Sequence, residues 1–364
     1  MRSLLLAITI AASFARGYSQ TGAVQDIDNM ITGESALKPL RYLASDELMG
    51  RSPKRPEIQL AADYIADQFR VYGVEKIEAL DDYFQPFELV TDTTNNVTPK
   101  VIGRPVLTPA NNSKPILANN VMGMVEGTDE TLKKQFIVLS AHYDHLGVAP
   151  VPKSVNGKKD SIYNGARDNA IGVTAVMNAA RYFAKHPARR SILFILFTAE
   201  EMGLVGSRYF AEHPVLPLNK IVYNLNCDNG GYNDTTIITV IGLGRTSADD
   251  DIKKACLDYG VEAIADPVPE LNLFDRSDNV NLAAKGIPAP TFGMGVTSFD
   301  SVIRKYYHQV TDEVSSFDLK YALTYIKAYI LAAKNIADNP AQPAWIKDDK
   351  YEAAWKRLYD LPIH

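Results

Sequence analysis

The chain has 364 residues, of which 46% are hydrophobic and 22% are charged, enough apolar material for one large α/β core. Its net charge of −5 argues against nucleic acid or an anionic membrane surface as a partner. We find no internal repeat and no apolar run of membrane length, so we expect no stable membrane insertion.

The N-terminus has the pattern of a secretory signal peptide. Met1 and Arg2 precede the apolar stretch Leu4 to Phe14, which is too short to span a membrane, and small residues follow up to Ser19. We predict a signal peptide over residues 1–19, cleaved near Ser19-Gln20, and an exported protein, either periplasmic or secreted. Cleavage removes two of the 38 basic residues and none of the 43 acidic ones, which leaves a net charge of −7.

One domain, residues 20–339, is predicted to follow. Lys38 to Leu48 and Ile58 to Tyr72 have the spacing of amphipathic helices, and Tyr83 to Val90 that of a strand. Residues 91–120 are rich in Thr, Asn and Pro, which predicts a loop or a small cap excursion.

The first candidate for chemistry follows a buried strand at Phe136 to Ala141. His142 and Asp144 are two residues apart, so their side chains can point the same way, one binding a metal while the other orients it. The polar segment Ala149 to Asp160 is expected to be a loop that borders the site.

The second candidate is Asp168, in a loop that leads into a predicted helix, Val173 to Phe183. The simplest interpretation of one Asp there is a helix N-cap. That interpretation leaves Gly165 and Gly172 unexplained, and glycines on both sides favour a backbone in an unusual conformation.

Two adjacent glutamates, Glu200 and Glu201, follow the strand-like run Ser191 to Thr198. Neighbours on an extended chain point to opposite sides, but the glycines after them predict a turn before a helix over Ser207 to Glu212. One carboxylate could then bind a metal while the other moves a proton. The alternative is a solvated acidic helix start.

The last two candidates are Asp228, which closes the apolar run Ile221 to Cys227, and His308, much later in the chain. A helix over Phe317 to Asn339 and a docked tail over residues 340–364 are expected after them. Three consecutive strands thus each end in an acid or an imidazole. Because parallel strands end at one edge of a sheet, these side chains are expected to form one mixed N/O site for zinc-like ions.

The motifs resemble those of the M28 zinc peptidases, the co-catalytic aminopeptidases related to glutamate carboxypeptidase. They are S-A-H-Y-D-H-L-G, N-G-A-R-D-N-A-I-G, A-E-E-M-G-L-V-G-S, N-C-D and Y-Y-H, in the family's order. The resemblance spans His142 to His308 by motif and residues 35–340 by element order. It implies an α/β fold with a mostly parallel central sheet flanked by helices on both faces.

Carried over by position, the resemblance implies that Asp168 bridges two zinc ions. Glu201 and His308 would complete one metal site, and His142 and Asp228 the other. Glu200 would be the general base and Asp144 would buttress His142. Tyr307 is similar to the tyrosine that hydrogen-bonds the oxyanion in some members, and the Asp168-Asn169 bond is a candidate cis peptide.

The function implied is that of an exported metallo-aminopeptidase, which removes N-terminal residues from peptides with a free N-terminus. A metal-bridging water would attack the carbonyl, and Glu200 would take its proton. Two enzymes of the same superfamily are alternatives: a glutaminyl cyclase that uses one zinc, and a carboxypeptidase. A non-catalytic binding protein ranks last because the chain keeps every ligand.

Two positions depart from the family's pattern. Asn279 stands where a histidine is frequent, and Arg167 stands where a small or acidic residue is usual. For Arg167 and Arg276 we expect surface ion pairs, with recognition of an acidic group on the substrate as the alternative. Whether Cys227 pairs with the one other cysteine, Cys256, is left open by the sequence.

Overall fold

A computed structural model describes residues 22–90, 100–102, 116–155 and 157–362. The predicted signal peptide, residues 1–19, lies outside these ranges, as does most of the predicted excursion over residues 91–120. None of the helices within the described ranges combines the length and the apolar character needed to cross a membrane.

The core is one nine-stranded sheet with the strand order β10-β9-β11-β8-β4-β7-β3-β1-β2, and β5 and β6 form a separate hairpin. The strands are β1 Phe84–Val90, β2 Lys100–Ile102, β3 Ile116–Val125, β4 Phe136–His142, β5 Gly147–Val155, β6 Lys158–Tyr163, β7 Ser191–Phe197, β8 Ile221–Cys227, β9 Ile237–Ile241, β10 Glu262–Ile264 and β11 Thr291–Met294.

The four central strands, β11, β8, β4 and β7, run parallel. Antiparallel pairings join β9 on one side and β3 and β1 on the other, and β10 runs parallel to β9. The helices are α1 at residues 22–30, α2 Gly33–Leu43, α3 Glu57–Tyr72, α4 Ile171–Phe183, α5 Val205–Glu212, α6 Asp249–Asp258, α7 Asn279–Ala284, α8 Ser301–Tyr306, α9 Leu319–Asp338 and α10 Glu352–Leu358.

Alternation along β7 shows that both faces of the sheet are covered. Ile192, Phe194 and Leu196 belong to the larger apolar cluster, which includes residues of α2, α3, α4, α6 and α9. The residues between them belong to a second cluster on the other face, with residues of α5 and α7. Side chains alternate with period two on a strand, so a strand that is apolar throughout requires helices on both sides. The predicted fold class is confirmed.

Two sequence expectations need correction. The segment Ala149 to Asp160 is not a loop: it lies in the antiparallel hairpin of β5 and β6. Within the predicted excursion, residues 116–120 belong to β3 and Lys100–Ile102 pairs with β1. Both segments mix polar and β-branched residues, so composition alone did not reveal the pairing.

The described part of the tail, residues 340–362, packs on the domain. Trp345 is buried in the second apolar cluster and donates its indole N–H to the carbonyl oxygen of Gly286 at 3.1 Å. The two cysteines, Cys227 and Cys256, are buried and free. The Cys227 thiol accepts a hydrogen bond from the Tyr325 hydroxyl at 3.2 Å, and burial raises the pKa of that thiol.

Candidate metal centre

Three neighbouring strands bring their following residues to one edge of the sheet. β8, β4 and β7 are adjacent and parallel, and they end at Cys227, His142 and Phe197. Asp228 therefore comes next to His142, and the Glu200-Glu201 pair lies on the other side of it. This edge is where open α/β sheets place their ligands, as the sequence predicted.

Asp168 reaches the same edge from a tight turn over Ala166–Ala170, directly before α4. Gly165 precedes the turn with a φ of 55°, and a Cβ there would lie 2.3 Å from the Asp168 carbonyl oxygen and 2.5 Å from the His145 ring. Only glycine fits this position. The Asp168-Asn169 peptide bond is cis, as the family resemblance implied. Asp168 caps no helix.

The first group of potential ligands consists of His142, Asp168 and Asp228. The Nε2 atom of His142 lies 3.3 Å from Asp168 Oδ1 and 3.1 Å from Asp228 Oδ1. These three side chains converge on one point closely enough to hold a metal ion.

The second group shares Asp168. The Nε2 atom of His308 lies 3.1 Å from Asp168 Oδ2 and 3.4 Å from Glu201 Oε2. The two oxygens of Asp168 therefore face different histidines, which is the arrangement that a carboxylate bridging two metal ions requires.

The donor atoms fit zinc in spacing and in kind. With bonds of about 2.0–2.1 Å to nitrogen and oxygen, tetrahedral zinc separates its ligand atoms by roughly 3.3 Å. The four distances above lie between 3.1 and 3.4 Å. Imidazole and carboxylate are also donors that zinc accepts.

The charges of the cluster attract cations. Burial on its own lowers the pKa of His142, but the carboxylates of Glu200 and Asp228 outweigh burial and raise it well above its usual value. Burial likewise opposes protonation of His308, and hydrogen bonds with Asp168 and Glu201 raise its pKa to about 10. A site that favours positive charge this strongly is suited to divalent metal ions.

His145 was not predicted as a site residue from the sequence. Its Nδ1 atom lies 2.8 Å from Glu201 Oε1, and it forms with Asp168 and Glu201 a further group that could hold a metal ion. Because Glu201 presents its other oxygen, Oε2, to His308, the contact of His145 suits a residue that orients Glu201. The His-Tyr-Asp-His spacing was the available signal for this residue.

The two adjacent glutamates differ electrostatically. Burial raises the pKa of Glu200 well above its usual value, and the negative charges of Asp228 and Asp278 add to the effect although His142 opposes it. Burial and Asp168 also act to raise the pKa of Glu201, but hydrogen bonds with His145 and His308 overcome them and lower it. One carboxylate is therefore drawn towards protonation while its neighbour stays ionised among donors.

Asp144 does more than the sequence suggested. Its carboxylate accepts hydrogen bonds from the backbone N–H groups of Glu200 at 3.1 Å and Glu201 at 3.3 Å, so it fixes the turn that carries both glutamates. Its contact with His142 is looser: Nδ1 of the histidine lies 3.7 Å from Asp144 Oδ1 and 3.2 Å from the backbone oxygen of Asp144. The backbone carbonyl is the nearer partner of the imidazole.

Tyr307 stacks on His308, with ring centroids 4.1 Å apart, and its ring lies over Gly230, where a Cβ would come within 2.9 Å of it. Burial raises the pKa of Tyr307, and the charge of the exposed Arg276 acts in the opposite direction. Asn279 is buried and donates to the Ala289 carbonyl oxygen at 3.1 Å.

Arg167 forms the expected ion pair, but the prediction that this pair lies at the surface was wrong, because the side chain is buried. It forms an ion pair with Asp312 at 3.1 Å and lies against the rings of Tyr306 and Phe317. The Asp312 carboxylate also accepts from the backbone N–H of Arg167 and, at 3.2 Å, from that of Asp168. This pair therefore ties the chain after His308 to the backbone of Asp168.

A model of one protein family, Peptidase family M28, matches residues 120–333. Curated relatives described as zinc metalloproteases or aminopeptidases also match. The aminopeptidase YwaD of Bacillus subtilis is 25% identical over 203 residues, which cover 54% of this chain and 40% of that protein. A vacuolar membrane protease of Candida albicans is 31% identical over 121 residues, which cover 33% of this chain and 12% of the length of that protein.

Solved structures share the fold. The aminopeptidase from Aneurinibacillus sp. strain AM-1 has a TM-score of 0.60 at 16% identity, covering 90% of this chain and 98% of that one. A glutaminyl cyclase from Bacteroides thetaiotaomicron has a TM-score of 0.55 at 16% identity, covering 84% and 98%. The fold therefore does not distinguish a peptidase from a cyclase. The family model covers more than half of the chain, including every candidate ligand, and the chain belongs to peptidase family M28.

Proposed function

We propose that this metallopeptidase is an exported di-zinc aminopeptidase that removes N-terminal residues from peptides. One observation carries the proposal. The two oxygens of Asp168 face two separate histidines, each of which has a second carboxylate beside it, while Glu200 stands outside both groups. A cluster with that composition can hold a pair of metal ions and keep one carboxylate free to move protons.

The proposed ligands are His142, Asp168 and Asp228 at one position and Asp168, Glu201 and His308 at the other. When bound, the two zinc ions would supply Lewis acidity, which polarises a peptide carbonyl and lowers the pKa of a water molecule. His145 holds the carboxylate of Glu201 in place, and Asp144 holds the backbone N–H of Glu201.

Glu200 is proposed to accept the proton of the attacking water and to deliver it to the nitrogen of the leaving amine. Burial raises its pKa and so favours the protonated carboxyl group, which suits a residue that takes up a proton. The protonated hydroxyl of Tyr307, beside His308, is available to donate a hydrogen bond to the carbonyl oxygen as negative charge develops on it.

A substrate is expected to approach from the side of Asp228 and His308. Their side chains are 19% and 35% exposed, whereas that of His142 is 1% exposed. A free α-amine at a chain end would find one of the two metal positions and the neighbouring acids there, which favours a chain end over an internal peptide bond. The aminopeptidase function of a curated relative supports the same end preference.

A panel of short peptides tests the proposal. It contains peptides with both ends free, peptides with an acetylated N-terminus and peptides with a blocked C-terminal carboxyl group. Each peptide is assayed with and without chelator. We expect hydrolysis of peptides with a free N-terminus, blocked carboxyl ends included, and loss of activity after chelation. Hydrolysis of acetylated peptides would refute the aminopeptidase assignment. A requirement for a free carboxylate would instead indicate a carboxypeptidase.

A further peptide in the same assay distinguishes a glutaminyl cyclase from a peptidase. A peptide that begins with glutamine would lose ammonia and keep its length if the chain were a glutaminyl cyclase, and metal analysis would then give one zinc per chain. Two overlapping ligand groups favour the di-zinc peptidase. Export, which is proposed from residues 1–19, predicts a mature protein that starts near Gln20, and N-terminal sequencing tests it.

A further inference from the structure

One buried arginine lies against the metal centre and has no part in the chemistry described above. Arg51 is 1% exposed and ends the turn Asp46–Arg51, which follows α2. Its guanidinium donates to the carbonyl oxygens of Tyr143 at 2.8 Å, Asn164 at 2.6 Å and Gly165 at 2.9 Å, and also to that of Leu43.

Three of its four partners belong to the two segments that carry His142 and Asp168. Tyr143 directly follows His142, and Gly165 precedes the turn that presents Asp168. The backbone of Arg51 joins the same network, because its carbonyl oxygen accepts from the N–H of His145 at 3.1 Å. The Arg51 side chain thus holds the residue that follows β4 and the turn that carries Asp168 at a fixed separation.

The hydrogen bonds of Arg51 within the described residues all end on backbone carbonyls, so no carboxylate bonds to its charge. Removing a cation from water without a direct counter-ion is costly. The cost is offset in part by the acids of the centre, since Asp144, Asp312 and Asp168 oppose the lowering of the Arg51 pKa that burial causes.

The local backbone is also under constraint. Met49 and Arg51 have φ angles of 46° and 49°, in the left-handed region that non-glycine residues rarely occupy. Between them, Gly50 packs so tightly on the β5–β6 hairpin that a Cβ would lie 2.3 Å from the Gly147 carbonyl oxygen. A strained turn at a fixed place is typical of a functional site.

We propose that Arg51 is a positioning residue that sets the distance between His142 and Asp168, so that the metal centre is formed before the ions bind. The inference rests on the metal centre of the proposed function. A planar guanidinium can hold several carbonyls in a fixed geometry, whereas the single ammonium of lysine cannot.

Arg190 provides a matched control. It too is a fully buried arginine whose guanidinium donates mainly to backbone carbonyls, among them those of Ile336 and Ala341. It precedes β7, whereas Glu200 follows that strand, so the length of the strand, roughly 20 Å, separates it from the metal centre. Arg190→Lys therefore reproduces the loss of a buried guanidinium without touching the ligand segments.

The test compares Arg51→Lys, Arg51→Gln and Arg190→Lys with the wild-type protein. Far-ultraviolet circular dichroism first checks folding, and the metal-free proteins are then titrated with Co²⁺, whose visible absorption reports its coordination geometry. We expect both Arg51 variants to bind Co²⁺ about 10- to 100-fold more weakly, with an altered spectrum. Arg190→Lys should keep the wild-type affinity and spectrum.

Wild-type Co²⁺ binding in a folded Arg51→Lys variant would overturn the proposal. An equal loss in Arg190→Lys would do the same, because it would show a general effect of destabilisation. Unfolding of both Arg51 variants would assign the residue to global stability and would also refute the positioning role. The Co²⁺ readout requires no hydrolysis, so failure of the peptidase assignment would leave this comparison intact.

Discussion

Replacement of Glu200 by glutamine separates proton transfer from metal binding. Glutamine has nearly the shape of glutamate, so the turn and its two hydrogen bonds from backbone N–H groups to Asp144 should persist. The carboxylate of Glu200 belongs to neither ligand group, so both metal ions should still bind. What the variant loses is a carboxylate that stands outside both ligand groups and whose pKa burial raises well above its usual value, and with it the group proposed to move the proton.

The expected magnitude follows from that role. A positioned general acid or base contributes about 10²- to 10⁴-fold to a rate, which corresponds to roughly 2.7–5.4 kcal/mol in the activation free energy. Glu200→Gln should lower kcat by this factor. KM should change by less than about threefold, since substrate binding depends on the metals and on the charge of the remaining acids.

The assay measures steady-state hydrolysis of an N-terminal chromogenic amide alongside zinc content by elemental analysis. Glu201→Gln is the matched control. Glu201 contacts His308 and His145, so its replacement should lower zinc content as well as activity. Near-normal turnover of Glu200→Gln would refute the assigned mechanism. Loss of zinc from this variant would refute the division of roles between the two glutamates.

Further predictions concern the ligands and the pH dependence of stability. Asp168→Asn should lower zinc content from two ions to less than one per chain, because Asp168 serves both groups; retention of both ions would argue against bridging. His308→Ala should lose one ion, whereas His145→Gln should keep both with about 10- to 100-fold weaker binding, and the reverse result would exchange their roles. Glu313→Gln should stabilise the chain at pH 8 but not at pH 4. Burial, with Asp46 and other acids, raises the Glu313 pKa to about 7, so the wild-type protein loses stability as pH rises from about 4.3 through 7. Discounted for partial exposure, the gain is about 1–2 kcal/mol, and thermal melts across pH would contradict it if the difference stayed constant.

The strands and helices that carry the site could be predicted because their signals are local. The apolar run before His142 and the helical spacing after Asp168 each extend over fewer than fifteen residues, and the structure places both elements as expected. The β5–β6 hairpin was not predicted, although the dipeptide Asn156-Gly157 between its strands is typical of a tight hairpin turn.

The predicted ligands also come together, but their supporting residues escaped the sequence analysis. Asp312 meets the backbone of Asp168 across 144 residues, and Arg51 meets Gly165 across 114. No periodicity links positions that far apart. Arg167 was expected at the surface for the same reason, because the rings that bury it belong to the distant Tyr306 and Phe317.

The sequence by itself determined which residues stand at the ends of the central strands, because apolar periodicity is encoded locally, and its motifs implied the fold class through their resemblance to a known family. Only the tertiary structure decided how the two oxygens of Asp168 divide between His142 and His308, and that Glu201, not Glu200, receives hydrogen bonds from histidines. These outcomes depend on distances of about 3 Å between segments far apart in the chain. Close packing fixes such distances, and hydrophobic pattern does not.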